Sequence, residues 1–131
     1  MGDEKYNDFR DLEVWRQCRD IRKNAWHLAK NLPPHEKYRL ADQVVRSSRS
    51  STACIAEGYG RYHYQENIQF CRQARGSLFE LIDHILVAEE CEYVSATEAE
   101  EFIDQIKTAV RSLNGYIKYL KGRKESDQGL K

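Results

Sequence analysis

Only two prolines occur in the 131 residues, Pro33 and Pro34, and they are adjacent. One sharp break is therefore written into the chain, and long helices are permitted on either side of it. Cysteine is sparse too: Cys18, Cys54, Cys71 and Cys91 stand far apart and form no Cys-x-x-Cys pair. No apolar run approaches the roughly 20 residues needed to cross a bilayer, and no secretory leader is read at the N-terminus. A soluble protein of a reducing cytoplasm is expected. Net charge is absent as well, because 21 basic residues cancel 21 acidic ones. No global field exists to hold a polyanion or an anionic membrane.

The cancellation is not local. Lys107, Arg111, Lys118, Lys121, Arg123 and Lys124 follow one another with no acid between them, whereas Glu89, Glu90 and Glu92 close the preceding helical segment. With 40% apolar and 32% charged residues, the composition suits long amphipathic helices with solvated outer faces. A chain of this length buries roughly two thirds of its unfolded surface, enough for one core without staples.

Apolar residues recur at alternating steps of four and three, one seam per segment. The first seam is Val14, Cys18, Ile21, Ala25, Leu28 and Leu32, ended by Pro33 and Pro34. The second is Tyr38, Ala41, Val45, Ser48, Thr52 and Ile55, and Gly58 and Gly60 are expected to stop it. The third is Cys71, Ala74, Leu78, Leu81, Ile85 and Ala88; the fourth is Ala99, Ile103, Ile106, Val110, Leu113, Ile117 and Leu120. Ser95-Ala96-Thr97-Glu98 has the form of a capping box that opens the fourth helix. Four such seams with short connections predict an all-α fold, an antiparallel up-down-up-down four-helix bundle over residues 9–121. Residues 1–8 and 122–131 are polar and aperiodic, and are expected to be flexible tails.

The apolar sectors are wider than one seam needs. Trp15 and Trp26 lie beside the first seam, Phe79 beside the third, and Phe102 and Tyr116 beside the fourth. Either they serve as flanks of a thick core, or they form the interface of a homo-oligomer.

Several motifs in order resemble a known family. Asp11-Leu12-Glu13-Val14-Trp15, then Pro33 with Glu36, Tyr38 and Leu40, then Gln43, Arg46 and Ser50, precede the most specific stretch, Ile55-Ala56-Glu57-Gly58 with Gly60 and Arg61; Gly76-Ser77-Leu78 with Glu80 follows. Together they resemble the four-helix-bundle proteins encoded in intervening sequences of bacterial 23S ribosomal RNA genes. The resemblance implies a ring-like homopentamer with no defined activity. It extends to the accessory variability determinant of diversity-generating retroelements, which implies an alternative role as a nucleic-acid-binding accessory protein, with RNA or DNA or a reverse-transcriptase-like protein as partner. Two departures stand out: Cys54 where the family usually has Asn, and His63 where it commonly has a Ser that would cap helix three.

No residue set reads as a catalytic centre, and an enzyme is not expected. None of the four histidines has a Glu three residues before it, so the Glu-x-x-His pattern of di-iron bundles is missing. Glu80 and His84 are four apart, but two ligands are too few for a metal site; no metal or cofactor is expected. Glu57 and Arg61 are separated by glycines and are read as a clasp of the turn rather than a simple helical pair. Gly76 costs its helix about 1 kcal/mol relative to Ala, and close approach to Ser48, Ser51 and Thr52 is the expected compensation. Candidates for nucleic-acid contact are Arg16, Arg19 and Lys23 on one stripe of helix one, with Lys107, Arg111, Lys118 and Lys121 on helix four beside Tyr116 and Tyr119. The expected function is a homo-oligomeric interaction scaffold.

Overall fold

The computed structural model describes residues 8–129, so the expectations for residues 1–7 and 130–131 lie outside it. Four α-helices carry the fold: α1 Glu13–Lys30, α2 Leu40–Gly60, α3 Tyr64–Glu90 and α4 Ala96–Gly129. Short 3-10 turns at Phe9–Asp11 and Pro34–Glu36 precede α1 and α2. The chain is an all-α four-helix bundle, with sequential helices packed side by side and α1 closing against α4. No strand occurs among the described residues.

The seams of α3 and α4 are buried throughout, and that of α1 from Val14 to Ala25. Burying each large side chain contributes roughly 1.5–3 kcal/mol. Helix α2 departs from expectation at its start. It begins at Leu40, which leaves Tyr38 outside the helix and 84% exposed, and the buried set becomes Leu40, Ala41, Val44, Ser47, Ser48, Ser51, Thr52 and Ile55. The four buried hydroxyls need no partner helix. Each donates to a carbonyl one turn back in α2, as Ser51 Oγ does to Ser48 O at 2.7 Å. Small, self-satisfied side chains let α1 and α3 approach α2 closely, and α2 makes its most extensive contact with α3.

The helix ends are set by residues other than the glycines. Helix α2 passes through Gly58 and ends at Gly60, and the left-handed residue that closes it is Tyr62, with φ 58°. At the end of α3, Glu92 takes the same conformation (φ 63°). Its N–H donates to Glu89 O and that of Tyr93 to Ala88 O, both at 2.9 Å, which is the Schellman pattern. The capping box of α4 forms as expected: Glu98 N donates to Ser95 Oγ and Ser95 N to Glu98 Oε1, each at 3.0 Å. Helix α4 does not stop near residue 121 but runs to Gly129. No proline interrupts it, Arg123 bonds the Tyr64 hydroxyl, and Lys124 Nζ donates to Gln65 Oε1.

Cys18 and Cys71 are buried, and burial pushes their thiols up to about 11 and about 12. Both behave as small apolar residues. No helix among the described residues is long and apolar enough to cross a membrane.

Candidate functional site

Both tryptophans of the chain lie along one groove between the outer faces of α1 and α2. Spacings of seven and four place Trp15, Arg22 and Trp26 on a single stripe of α1. The Trp15 ring meets Phe9 edge-on, with centroids 5.3 Å apart, while the guanidinium carbons of Arg19 and Arg22 lie 5.7 and 5.8 Å from its centroid. Arg22 Nη1 also crosses to α2 and donates to Thr52 Oγ1 at 3.0 Å. Farther along, Trp26 is 52% exposed, with the Arg49 guanidinium of α2 5.8 Å from its ring centroid.

Around Trp26 the groove widens. One hollow is lined by Arg22, Lys23, Val45, Ser48 and Arg49. A larger one, about 510 Å³, continues past Leu32, Pro33, Tyr38 and Ala41, with Lys30 and Lys37 at its edge. Cation–π contacts of this exposed kind contribute about 0.5–1 kcal/mol each, which favours keeping the guanidinium groups over the indoles. Among the described residues, Arg22, Lys23 and Arg49 have no carboxylate partner. The nearby acids are engaged elsewhere, Asp42 with Arg46 at 3.5 Å and Asp20 with Arg19 at 3.3 Å. The result is an apolar floor with a rim that is cationic apart from Asp42. Arg22, Phe9 and Arg49 were not singled out from sequence as site residues, although the spacing of Arg22 from both tryptophans was a usable signal.

The segment from Ile55 to Arg61 lies at the end of this groove, where α2 meets α3. Gly58 is buried there, and a Cβ on it would stand 2.7 Å from Asn67 Oδ1 and 2.9 Å from Phe70 Cβ. Helix α2 includes Gly58 and Gly60, so Glu57 and Arg61 do form an i,i+4 helical pair, Nη2 to Oε2 at 2.9 Å, contrary to the expectation from the intervening glycines. Arg61 also lies over the Phe70 ring of α3, 5.3 Å from its centroid, which makes the pair a clasp between helices too. Ser77 of α3 bonds Ser50 of α2 at 2.9 Å. Gly76 does not approach α2: it is exposed, and a Cβ there would meet nothing within 4 Å. The expected packing against Ser48, Ser51 and Thr52 is therefore corrected, since those positions face the core while Gly76 faces outward.

Residues 10–115 match the family model described as 23S rRNA-intervening sequence protein. The chain belongs to that family. Compared with curated proteins, it has no match.

As a 23S rRNA-intervening sequence protein, it carries its departures at two informative places. His63 stands at the N-cap of α3 and makes no side-chain cap bond. Cys54 is half-buried, 3.8 Å from Ser50 Oγ and 4.0 Å from Gln73 Oε1.

The remaining candidates are spread over the bundle. Arg16 is occupied by the entry turn, donating to Arg10 O at 2.9 Å and to Asp11 at 3.4 Å, whereas Arg19 and Lys23 join the groove. Lys107, Arg111, Lys118 and Lys121 are exposed and share one outward stripe of α4. Tyr119 is partly exposed and stacks on Tyr116, centroids 6.3 Å apart. Tyr116 is held by Asn67, whose Nδ2 donates to its hydroxyl at 3.2 Å, and burial raises its phenol well above the usual range. Phe102 lines a separate groove between α1 and α4, and Phe79 stands on the outer side of α3. Of the five interface candidates, only Trp15 and Trp26 are thus brought into one groove. Glu80 and His84 pair at 3.1 Å. Among the described residues no group of three or more His, Cys, Asp or Glu side chains is placed to hold a metal ion.

Proposed function

We propose that the protein is a non-enzymatic, homo-oligomeric interaction scaffold of the cytoplasm, whose copies meet through the groove between α1 and α2. The observation that carries this reading is Trp26. An indole left half in water, between hollows walled by Val45, Leu32 and Ala41, loses about 25 cal/mol for each Å² of apolar surface left uncovered, and such patches mark protein interfaces. The family resemblance makes a homopentamer the expected state. Size-exclusion chromatography with light scattering tests it: a mass that is a multiple of 15.4 kDa is expected, and a single 15.4 kDa particle across working concentrations defeats it.

A second reading, nucleic-acid binding, is favoured by a different observation. The stripe Lys107, Arg111, Lys118 and Lys121 runs beside the partly exposed Tyr119 ring, an arrangement of cations and an aromatic face that suits single-stranded RNA or DNA. Filter binding across salt decides it. Retention that falls steeply with salt supports the reading, and none at low salt, or retention indifferent to salt, removes it.

A further inference from the structure

Gly76, Phe79 and Leu86 lie on the outer side of α3. Together with Arg72, Asp83 and Glu90 they recur along α3 at steps of four and three, and all six are exposed. They form one outward stripe. Because Ser77 and Gln73 bind α3 to α2, the stripe faces away from α2. Phe79 is 52% and Leu86 42% exposed, far more than the core residues beside them. Gly76 is costly inside a 27-residue helix, and no neighbour within the protomer uses the space it leaves.

Charge distinguishes this face from the groove. Between Arg75 and Lys107 the chain has no lysine or arginine, yet it carries Asp83, Glu89, Glu90 and further acids through Asp104. Past Arg72, from Gly76 to Glu90, the stripe is therefore apolar with an acidic border, while the border of the groove is basic apart from Asp42, which pairs with Arg46. Zero net charge conceals a mainly acidic surface and a mainly basic one.

We infer that the α3 stripe of one copy docks into the α1–α2 groove of the next. Phe79 and Leu86 fill the hollows beside Trp26, Asp83 and Glu90 meet Lys23, Lys30 and Arg49, and the bare backbone at Gly76 admits the facing helix. The inference rests on the self-assembly proposed above and adds which faces mate. Since the two faces differ, the contact is heterologous, and repeating it closes a ring when the rotation between copies permits.

The test uses the full chain in sedimentation and light scattering over a range of protein and salt concentrations. Asp83→Lys with Glu90→Lys, or Lys23→Glu with Lys30→Glu, should each move the dissociation midpoint to about tenfold or higher protein concentration. All four substitutions in one chain should restore assembly, and added salt should weaken the wild type. Gly76→Leu should block assembly while circular dichroism shows helicity and monomer melting retained. An oligomer whose midpoint ignores both reversals, or one that tolerates Gly76→Leu, overturns the docking while leaving the scaffold reading in place. A wild type that is monomeric throughout removes both, whereas an RNA oligonucleotide held in the groove through Lys23 and Lys30 by an assembled wild type overturns the docking alone.

Discussion

Gly58 and Asn67 touch where α2 crosses α3, with no room left for a methyl group between them: a Cβ on Gly58 would lie 2.7 Å from Asn67 Oδ1 and 3.3 Å from its Cα. Asn67 cannot simply turn aside, because it is fully buried, donates to the Tyr116 hydroxyl and accepts from the Cys71 thiol at 3.5 Å. The signature glycine thus permits a polar junction of three helices.

Gly58→Ala is expected to destabilise the protein by about 1–3 kcal/mol, the usual cost of overpacking. In the dissociated protomer Gly76→Ala should act in the opposite sense, stabilising by up to about 1 kcal/mol by removing an unfavourable helical glycine. Thermal melts at matched protein concentration distinguish them. Shifts of the same sign would contradict the two environments.

Two helix ends carry residues unsuited to their conformation. Glu92 holds the left-handed position that closes α3, where a side chain costs about 1–2 kcal/mol, and His63 leaves the start of α3 uncapped. Glu92→Gly and His63→Ser should each raise the melting temperature by a few degrees. Because the sites lie at opposite ends of one helix, the two gains should add.

The turn after α3 is tied to the turn before α2 by Tyr93, whose hydroxyl donates to Glu36 Oε2 at 2.7 Å. This bond holds the Glu36 carboxyl below its ordinary 4.5, and it helps push the Tyr93 phenol up to about 12. A lowered carboxyl stabilises the fold above its unfolded value and loses that contribution as pH falls through the folded one. A raised phenol stabilises below 10 and loses its contribution as pH rises towards 12. The melting temperature of Tyr93→Phe should therefore depend less on pH than wild type, below 4.5 and above 10. Parallel curves would show that the bond is not formed.

Trp15 and Trp26 are the only indoles, and both line the groove. Dilution through dissociation should red-shift the fluorescence, and Trp26→Phe should remove most of that change. Trp15→Phe should remove little, because Phe9 already covers Trp15. A shift that survives Trp26→Phe would place the contact elsewhere.

The bundle was legible because Ile103, Ile106, Val110 and Leu113 repeat without interruption and because Ser95 and Glu98 announce a helix start. The ends of α2 were not, since Leu40 and Tyr38 are both apolar enough to begin a seam, and nothing local says that Tyr62 rather than a glycine turns left-handed. Glu57 and Arg61 misled for the same reason: glycine permits a helix to stop but does not compel it. The groove was half visible. Spacing put Trp15 and Trp26 together, but Arg49 comes from another helix, and only tertiary packing brings it over an indole.

Helix α4 outlasts its neighbours. Beyond Lys124, which is still moored to Gln65, the backbone continues helically to Gly129, a mast about 8 Å tall at 1.5 Å per residue. Cargo fused behind it would ride clear of the body and point along its long axis. At the other end of the described residues the entry turn is tied down instead, because Phe9 packs edge-on against Trp15 beside the groove.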